Sequence, residues 1–216
     1  MDAFSFALAA TPLAAYLLFV GLVNLRKRPL VVTGMADTGA VGAALSGVAL
    51  IGPIALFRPE AATVAMGAAV WLVLLMLYWL GVALLTMLGR PRLVVYNATG
   101  AELRPALSEA ARQLDPSARW AGDSLWLPTL GVQLHVDTYA WMRNTSLIAT
   151  GGQQDLAGWR RLGKATERAA RALQTTKRSH AVWLLTAGGV LLLVAIVALV
   201  LDPEGVQVAW QRATAI

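Results

Sequence analysis

The segment TGMADTGAVGAALSG, residues 33–47, holds Asp37-Thr38-Gly39-Ala40, the four-letter pattern of an aspartic-protease catalytic loop. That chemistry needs two carboxylates ~3 Å apart sharing one proton, each on a loop between strands. One copy supplies half a dyad, and small helix-compatible residues surround it where strands should be. The carboxylate has two other uses. Inside an apolar span an ionisable side chain is costly and marks an ion or proton path. At a helix start it accepts the free N–H groups of the first turn, and the helix dipole favours its charge. Length decides between them. An unbroken helix over 30–57 would run ~42 Å, well past the ~30 Å of hydrocarbon, whereas 38–57 gives ~30 Å. Asp37 is therefore expected to cap a helix, with ion handling as the alternative.

The residues after it carry a second signal. Gly39, Ala43 and Gly47 recur every four positions, as do Gly42 and Ser46. Small residues at this spacing let membrane helices approach closely, so these five mark the expected packing surface. Elsewhere the chemistry is sparse. Cysteine is absent, which removes disulfides, thiolate nucleophiles, iron–sulfur clusters and cysteine-based zinc sites. His135 and His180 are too far apart to read as a ligand pair. No P-loop, dinucleotide fingerprint, HExxH or nucleophile elbow occurs. Trp71, Tyr78 and Trp79 share one apolar run with no axial ligand available, which predicts packing and no cofactor.

These residues need elements to hold them. At 57% hydrophobic and 14% charged, the chain is too apolar for a water-soluble domain. Four apolar runs have membrane-spanning length, at about 4–25, 38–57, 64–88 and 181–201. Arg58-Pro59, Arg90-Pro91 and Asp202-Pro203 close the last three, each with a proline that a helix cannot easily continue through. The first run has Asp2 before it and Arg26-Lys27-Arg28 after it, the reverse of a secretory signal peptide, so an uncleaved anchor is expected.

Loop charge predicts orientation. Sixteen basic residues fall on one side, in 26–28 and 90–178, against Arg58 and Arg212 on the other. The positive-inside rule then puts both termini outside and 89–180 in the cytoplasm. Membrane asymmetry also accounts for the net charge of +6, so no nucleic-acid partner is expected. Eighteen Lys+Arg of which only Lys27, Lys164 and Lys177 are lysine, in an alanine-rich chain, suit a GC-rich bacterial genome.

Residues 92–178 read as a soluble insert between the third and fourth spans. RLVVY (92–96) is a strand and NATG a turn. Leu103, Leu107, Ala110, Ala111 and Leu114 show helical spacing, with a start near 104 that would leave Pro105 in the first turn. Two short strands flank Gly122-Asp123, GVQLHVD (131–137) alternates as a half-buried strand, and NTSLIAT (144–150) is another. A helix over 155–178 follows, free to continue into the fourth span because no proline interrupts 155–201. The order β-α-β-β-β-β-α predicts a small α+β sandwich, helices on one face of an antiparallel sheet. The expected architecture is thus a membrane domain over 1–91, a cytoplasmic domain over 92–178, and a last helix with an outer tail over 179–216.

Arg160, Lys164, Arg168 and Arg171 form a cationic stripe on that last soluble helix. Only its membrane-proximal end, Arg171 with Lys177 and Arg178, lies within reach of anionic lipid headgroups, because attraction decays over a Debye length of ~8 Å. Asn97-Ala98-Thr99 and Asn144-Thr145-Ser146 match the glycosylation pattern but fall in the expected cytoplasmic domain. Together these features predict a non-catalytic accessory or scaffolding subunit of a larger bacterial inner-membrane complex. It would be held to other membrane subunits through its helices. The competing expectation is a small homo-oligomeric channel or transporter that uses Asp37.

Overall fold

The structure is a computed structural model and describes residues 2–54, 66–67, 69–152, 154–175 and 179–214. It is mostly helical, with a small antiparallel sheet. Among the described residues four helical segments are long and apolar enough to cross a membrane: Ala3–Leu25, Gly34–Pro53, Ala69–Leu88 and His180–Leu201. Their exposed surface is apolar all round. In Ala69–Leu88 only Val70 and Val82 are buried, while Leu72, Met76, Leu80 and Leu85 stand open. Such a surface suits hydrocarbon as solvent, not water.

In chain order the elements are α1 (Ala3–Leu25), β1 (Leu30–Thr33), α2 (Gly34–Ala49), α3 (Ala69–Leu88), β2 (Arg92–Tyr96), α4 (Gly100–Leu114), β3 (Arg119–Ala121), β4 (Ser124–Leu127), β5 (Val132–Tyr139), β6 (Asn144–Ala149), α5 (Leu156–Ala172), α6 (Ser179–Leu201) and α7 (Pro203–Thr214). A π-helical turn, Leu50–Ile54, extends α2 through Pro53. Two compact units emerge, one of Met1–Val20, Thr38–Leu88 and Trp183–Ile216, the other of Gly21–Asp37 and Gly89–Val182.

In the first unit the helices meet through their smallest residues. Ala7 and Ala10 of α1 are buried with Ala195 of α6, and Gly188 lies where a Cβ would come 3.1 Å from the Ala14 carbonyl. The segment after α6 forms helix α7. Asp202 accepts the Gly205 N–H at its start, and Trp210 packs edge-on against Phe4 with centroids 6.1 Å apart.

The second unit holds a six-stranded antiparallel sheet in the order β1-β2-β6-β5-β4-β3. The five strands read from the sequence are all present. Helices α4 and α5 cover one face, closing a core in which Leu103, Leu107 and Leu162 meet Val95, Leu125, Leu127, Val132, Leu134 and Leu147. Apolar alternation built this layer: on β5, Val132 and Leu134 are buried while Gln133 and His135 are exposed.

Three boundaries differ from the sequence reading. Leu30–Thr33, expected as apolar lead-in to the second span, is the edge strand β1. Its register pairs Val31 with Val95, which sends Val31 into the core. Helix α4 starts at Gly100, not near 104, because Thr99 and Glu102 form a reciprocal capping box that fixes the first turn ahead of Pro105. Helix α5 stops at Ala172, with Leu173 extended at ψ 138°, so it does not run unbroken into the fourth span.

Candidate functional site

Asp37 sits in the first turn of α2, three residues beyond the helix start at Gly34, and so is not the cap. The Thr33 hydroxyl accepts the Ala36 N–H at 3.3 Å and takes that role. The Asp37 carboxylate turns instead to β2. Arg92 Nη2 donates to Oδ2 at 2.6 Å, and the Tyr96 hydroxyl donates to Oδ1 in a short hydrogen bond. Residues four apart on a strand share a face and lie ~13 Å apart along it. Arg92 and Tyr96 therefore reach the carboxylate from either side of Val94. Asp37 is mostly buried, with 13% of its side chain exposed against 35% for Arg92. Gly34 makes room for this pair: a Cβ there would come 2.1 Å from Arg92 Cγ. A carboxylate matched by a guanidinium and a phenol is fixed in place, with both oxygens occupied.

A second junction surrounds Asn97, which follows β2 in the left-handed region at φ 62°. Its fully buried amide donates to the Arg26 carbonyl at 2.7 Å and to Thr175 Oγ1 at 2.9 Å. The Thr175 N–H in turn donates to the Lys27 carbonyl at 3.0 Å. One side chain thereby ties the segment after α1 to the segment after α5. Arg143, also left-handed at φ 50° and 3% exposed, backs this junction. Its guanidinium donates to Asn97 Oδ1 at 3.3 Å and to Glu102 Oε2 at 2.8 Å. Partial burial pushes the Glu102 carboxyl up, but the Thr99 N–H and the Arg143 charge outweigh it and hold Glu102 below the ordinary range. Asn97 is thus a buried structural residue, inaccessible to a glycosylating enzyme.

A groove of ≈ 660 Å³ opens between α4 and the β3–β5 end of the sheet. Arg104 crosses it, its guanidinium carbon 4.6 Å from the Trp120 ring centroid, with bonds to Asp123 Oδ1 at 3.1 Å and the Gly122 carbonyl at 2.7 Å. His135 lies nearby, its Nδ1 3.3 Å from Ser124 Oγ. Asp123 and Asp137 line the same groove, but neither is hydrogen-bonded to His135 among the described residues, and no cluster of three or more His, Cys, Asp or Glu able to hold a metal occurs there.

The expected packing residues separate into two groups. Gly42 abuts Val82, where a Cβ would meet Cγ1 at 2.8 Å, and its carbonyl accepts from the Tyr78 hydroxyl at 2.6 Å. Gly47 abuts α1, with only 2.1 Å available between a Cβ and the Leu8 carbonyl oxygen. Ser46 turns back on its own helix, donating to the Ala43 carbonyl at 2.8 Å. Gly39 has nothing within 4 Å of a would-be Cβ, and Ala43 is exposed. Of the lipid-facing candidates, Arg171 pairs with Glu167, while Lys177 and Arg178 lie outside the described residues.

The sequence singled out Asp37 but not its partners. Arg92 entered only as a loop charge and a strand residue, Tyr96 only as a strand residue, and Arg143 only as a loop charge. The available signal was Asn97 in a turn directly after the β-branched strand RLVVY, since asparagine tolerates the left-handed region and bonds its own neighbourhood. No protein-family model, no curated protein and no solved structure matches the chain.

Proposed function

We propose that the protein is a non-catalytic accessory or scaffolding subunit of a larger bacterial inner-membrane complex. The observation that carries this reading is the engagement of Asp37. Asp37, the one carboxylate within Gly34–Pro53, is bonded to Arg92 and Tyr96 of the sheet, which favours a structural bolt over a proton or ion relay. Along α2, Gly39 with Ala43 leaves a small-residue strip open for another subunit's helix. The topology that fits the loop charges has both termini outside and 89–180 cytoplasmic, with Arg171, Lys177 and Arg178 near anionic headgroups.

The test is purification of the full chain from its native membranes in mild detergent, with identification of what comes with it. Foreign subunits at fixed stoichiometry are the expected result. A pure homo-oligomer that conducts ions in liposomes would overturn the reading in favour of a channel.

A further inference from the structure

The strand pair β1–β2 carries a helix exit at each end. Helix α1 stops at Leu25, and the Arg26 carbonyl just after it accepts from Asn97, which follows β2. At the other end β1 passes directly into α2, whose Asp37 is bonded to Arg92 and Tyr96. Both helices belong to segments long and apolar enough to cross a membrane. Four strand residues cover only ~13 Å, so two such spans would hold β1 along the bilayer surface.

Asp37 also marks which face of the sheet meets that surface. Val95 enters the core beneath α4 and α5, so Arg92 and Tyr96 lie on the opposite face. Register carries this open face outward in one row: Leu30 pairs with Tyr96, Tyr96 with Asn144, and Asn144 with Tyr139. Two strand spacings put Tyr139 ~10 Å from Tyr96. The row ends at the turn Tyr139-Ala140-Trp141, where Tyr139 is 49% and Trp141 68% exposed. Arg143 fixes that turn. Its N–H donates to the Ala140 carbonyl at 3.2 Å, and its carbonyl accepts the Ala98 N–H at 3.0 Å. The turn is thereby hydrogen-bonded to the residue after Asn97, which itself holds the end of α1.

Two large rings presented on a fixed turn are poorly served by water. The headgroup zone is apolar on one side and wet on the other, which suits rings that each carry a single polar atom. Asp137 shares this face of β5, so attraction to anionic lipid does not drive the contact.

We propose that Tyr139–Trp141 is an interfacial anchor, its two rings seated among the headgroups of the leaflet at which α1 ends. The open face of the sheet then lies along the bilayer. This contact needs lipid and no other subunit.

The chain has no cysteine, so Ala140→Cys places a single spin label between the two rings. Collisions with oxygen, which concentrates in hydrocarbon, and with a water-soluble nickel chelate are measured on the full chain in phosphatidylcholine nanodiscs. Labels at Leu80→Cys on α3 and Gln113→Cys on α4, both exposed, supply the hydrocarbon and water references. The oxygen-to-nickel ratio at Ala140 should fall between the two references, several-fold above that at Gln113. The variant Y139D/W141D should bring it down to the Gln113 value, whereas Y139F/W141F should keep it. Thermal midpoints equal to the parent's in detergent certify that both variants fold. A label at Ala140 that meets nickel as freely as one at Gln113 overturns the proposal. So does a label shielded from both reagents, which would place protein and not lipid against the turn. A folded aspartate variant that keeps the parent's ratio overturns it as well, because the rings would then not hold the turn at the interface.

Discussion

Arg92 meets Asp37 at 2.6 Å across a helix start that has no side chain in the way, because residue 34 is glycine. The pair fixes the first turn of α2 to strand β2, and its role is therefore mechanical. Asp37→Ala should lower the unfolding free energy by about 1–3 kcal/mol, since it removes the carboxylate that Arg92 and Tyr96 both bond. Gly34→Ala should give a similar loss through displacement of Arg92, with the carboxylate intact. Denaturation in detergent followed by tryptophan fluorescence reads both. A loss of ion flux in Asp37→Asn, with stability unchanged, would assign the carboxylate to transport.

The glycines of α2 make a graded series. Alanine at 47 would put a Cβ 2.1 Å from a backbone oxygen of α1, which no rotamer change relieves. Alanine at 42 would meet the Val82 side chain at 2.8 Å, and alanine at 39 would meet nothing. Overpacking predicts losses of about 1–3 kcal/mol, larger at 47 than at 42. Gly39→Ala should be neutral or stabilising by up to ~1 kcal/mol from helix propensity. Thermal midpoints in one detergent suffice to rank them. Equal losses at all three positions would contradict the packing seen.

The fold was legible where a single period governed burial. Val132, Leu134 and the residues between them announced β5, and Leu103, Leu107, Ala111 and Leu114 announced α4. Leu30-Val31-Val32-Thr33 did not announce β1. Four apolar residues leading into an apolar helix satisfy both periods, and only pairing with Val94 and Val95 across sixty residues of chain decides between them. The site was hidden for a related reason. Asp37 is conspicuous as an acid beside an apolar run, but Arg92, Tyr96, Asn97 and Arg143 acquire their roles from register and left-handed turns, which leave no local pattern.

Arg143 should be the most sensitive charged position. It is 3% exposed and bridges Asn97 and Glu102, so Arg143→Ala strands a buried amide oxygen and a half-exposed carboxylate. A loss of about 2–4 kcal/mol is expected, from the buried Asn97 amide left without its donor and a charge-assisted bond to Glu102 that solvent partly screens. Arg143→Lys should recover little, because one ammonium cannot reproduce a planar fork that faces two acceptors. Glu102→Gln should cost less than either, as an amide still accepts from Arg143 and 37% of the side chain is exposed. Chemical denaturation at neutral pH separates the three. Full recovery with lysine would show that charge alone matters there.

Asp115 ties the end of α4 to the loop before β5 and gives the fold an acid limit. Its carboxylate is fully buried and accepts from the Ser117 N–H at 2.9 Å, the Thr129 N–H at 2.8 Å and the Thr129 hydroxyl at 3.0 Å. Burial alone would raise its pKa, but these bonds outweigh burial and hold it below the ordinary aspartate value of 3.8. The unfolded chain then binds the proton first as pH falls. The stabilisation is complete above the unfolded value and is lost as pH drops toward and through the folded one, so unfolding midpoints should decline below about pH 4. Asp115→Asn should cost about 1–3 kcal/mol at neutral pH, since its amide NH₂ would face the N–H of Thr129 or Ser117. The same variant should also flatten the decline between pH 4 and the folded-state value, leaving a remainder from Glu102. An acid slope identical to the parent's would mean that Asp115 is not held below its ordinary value in the folded protein.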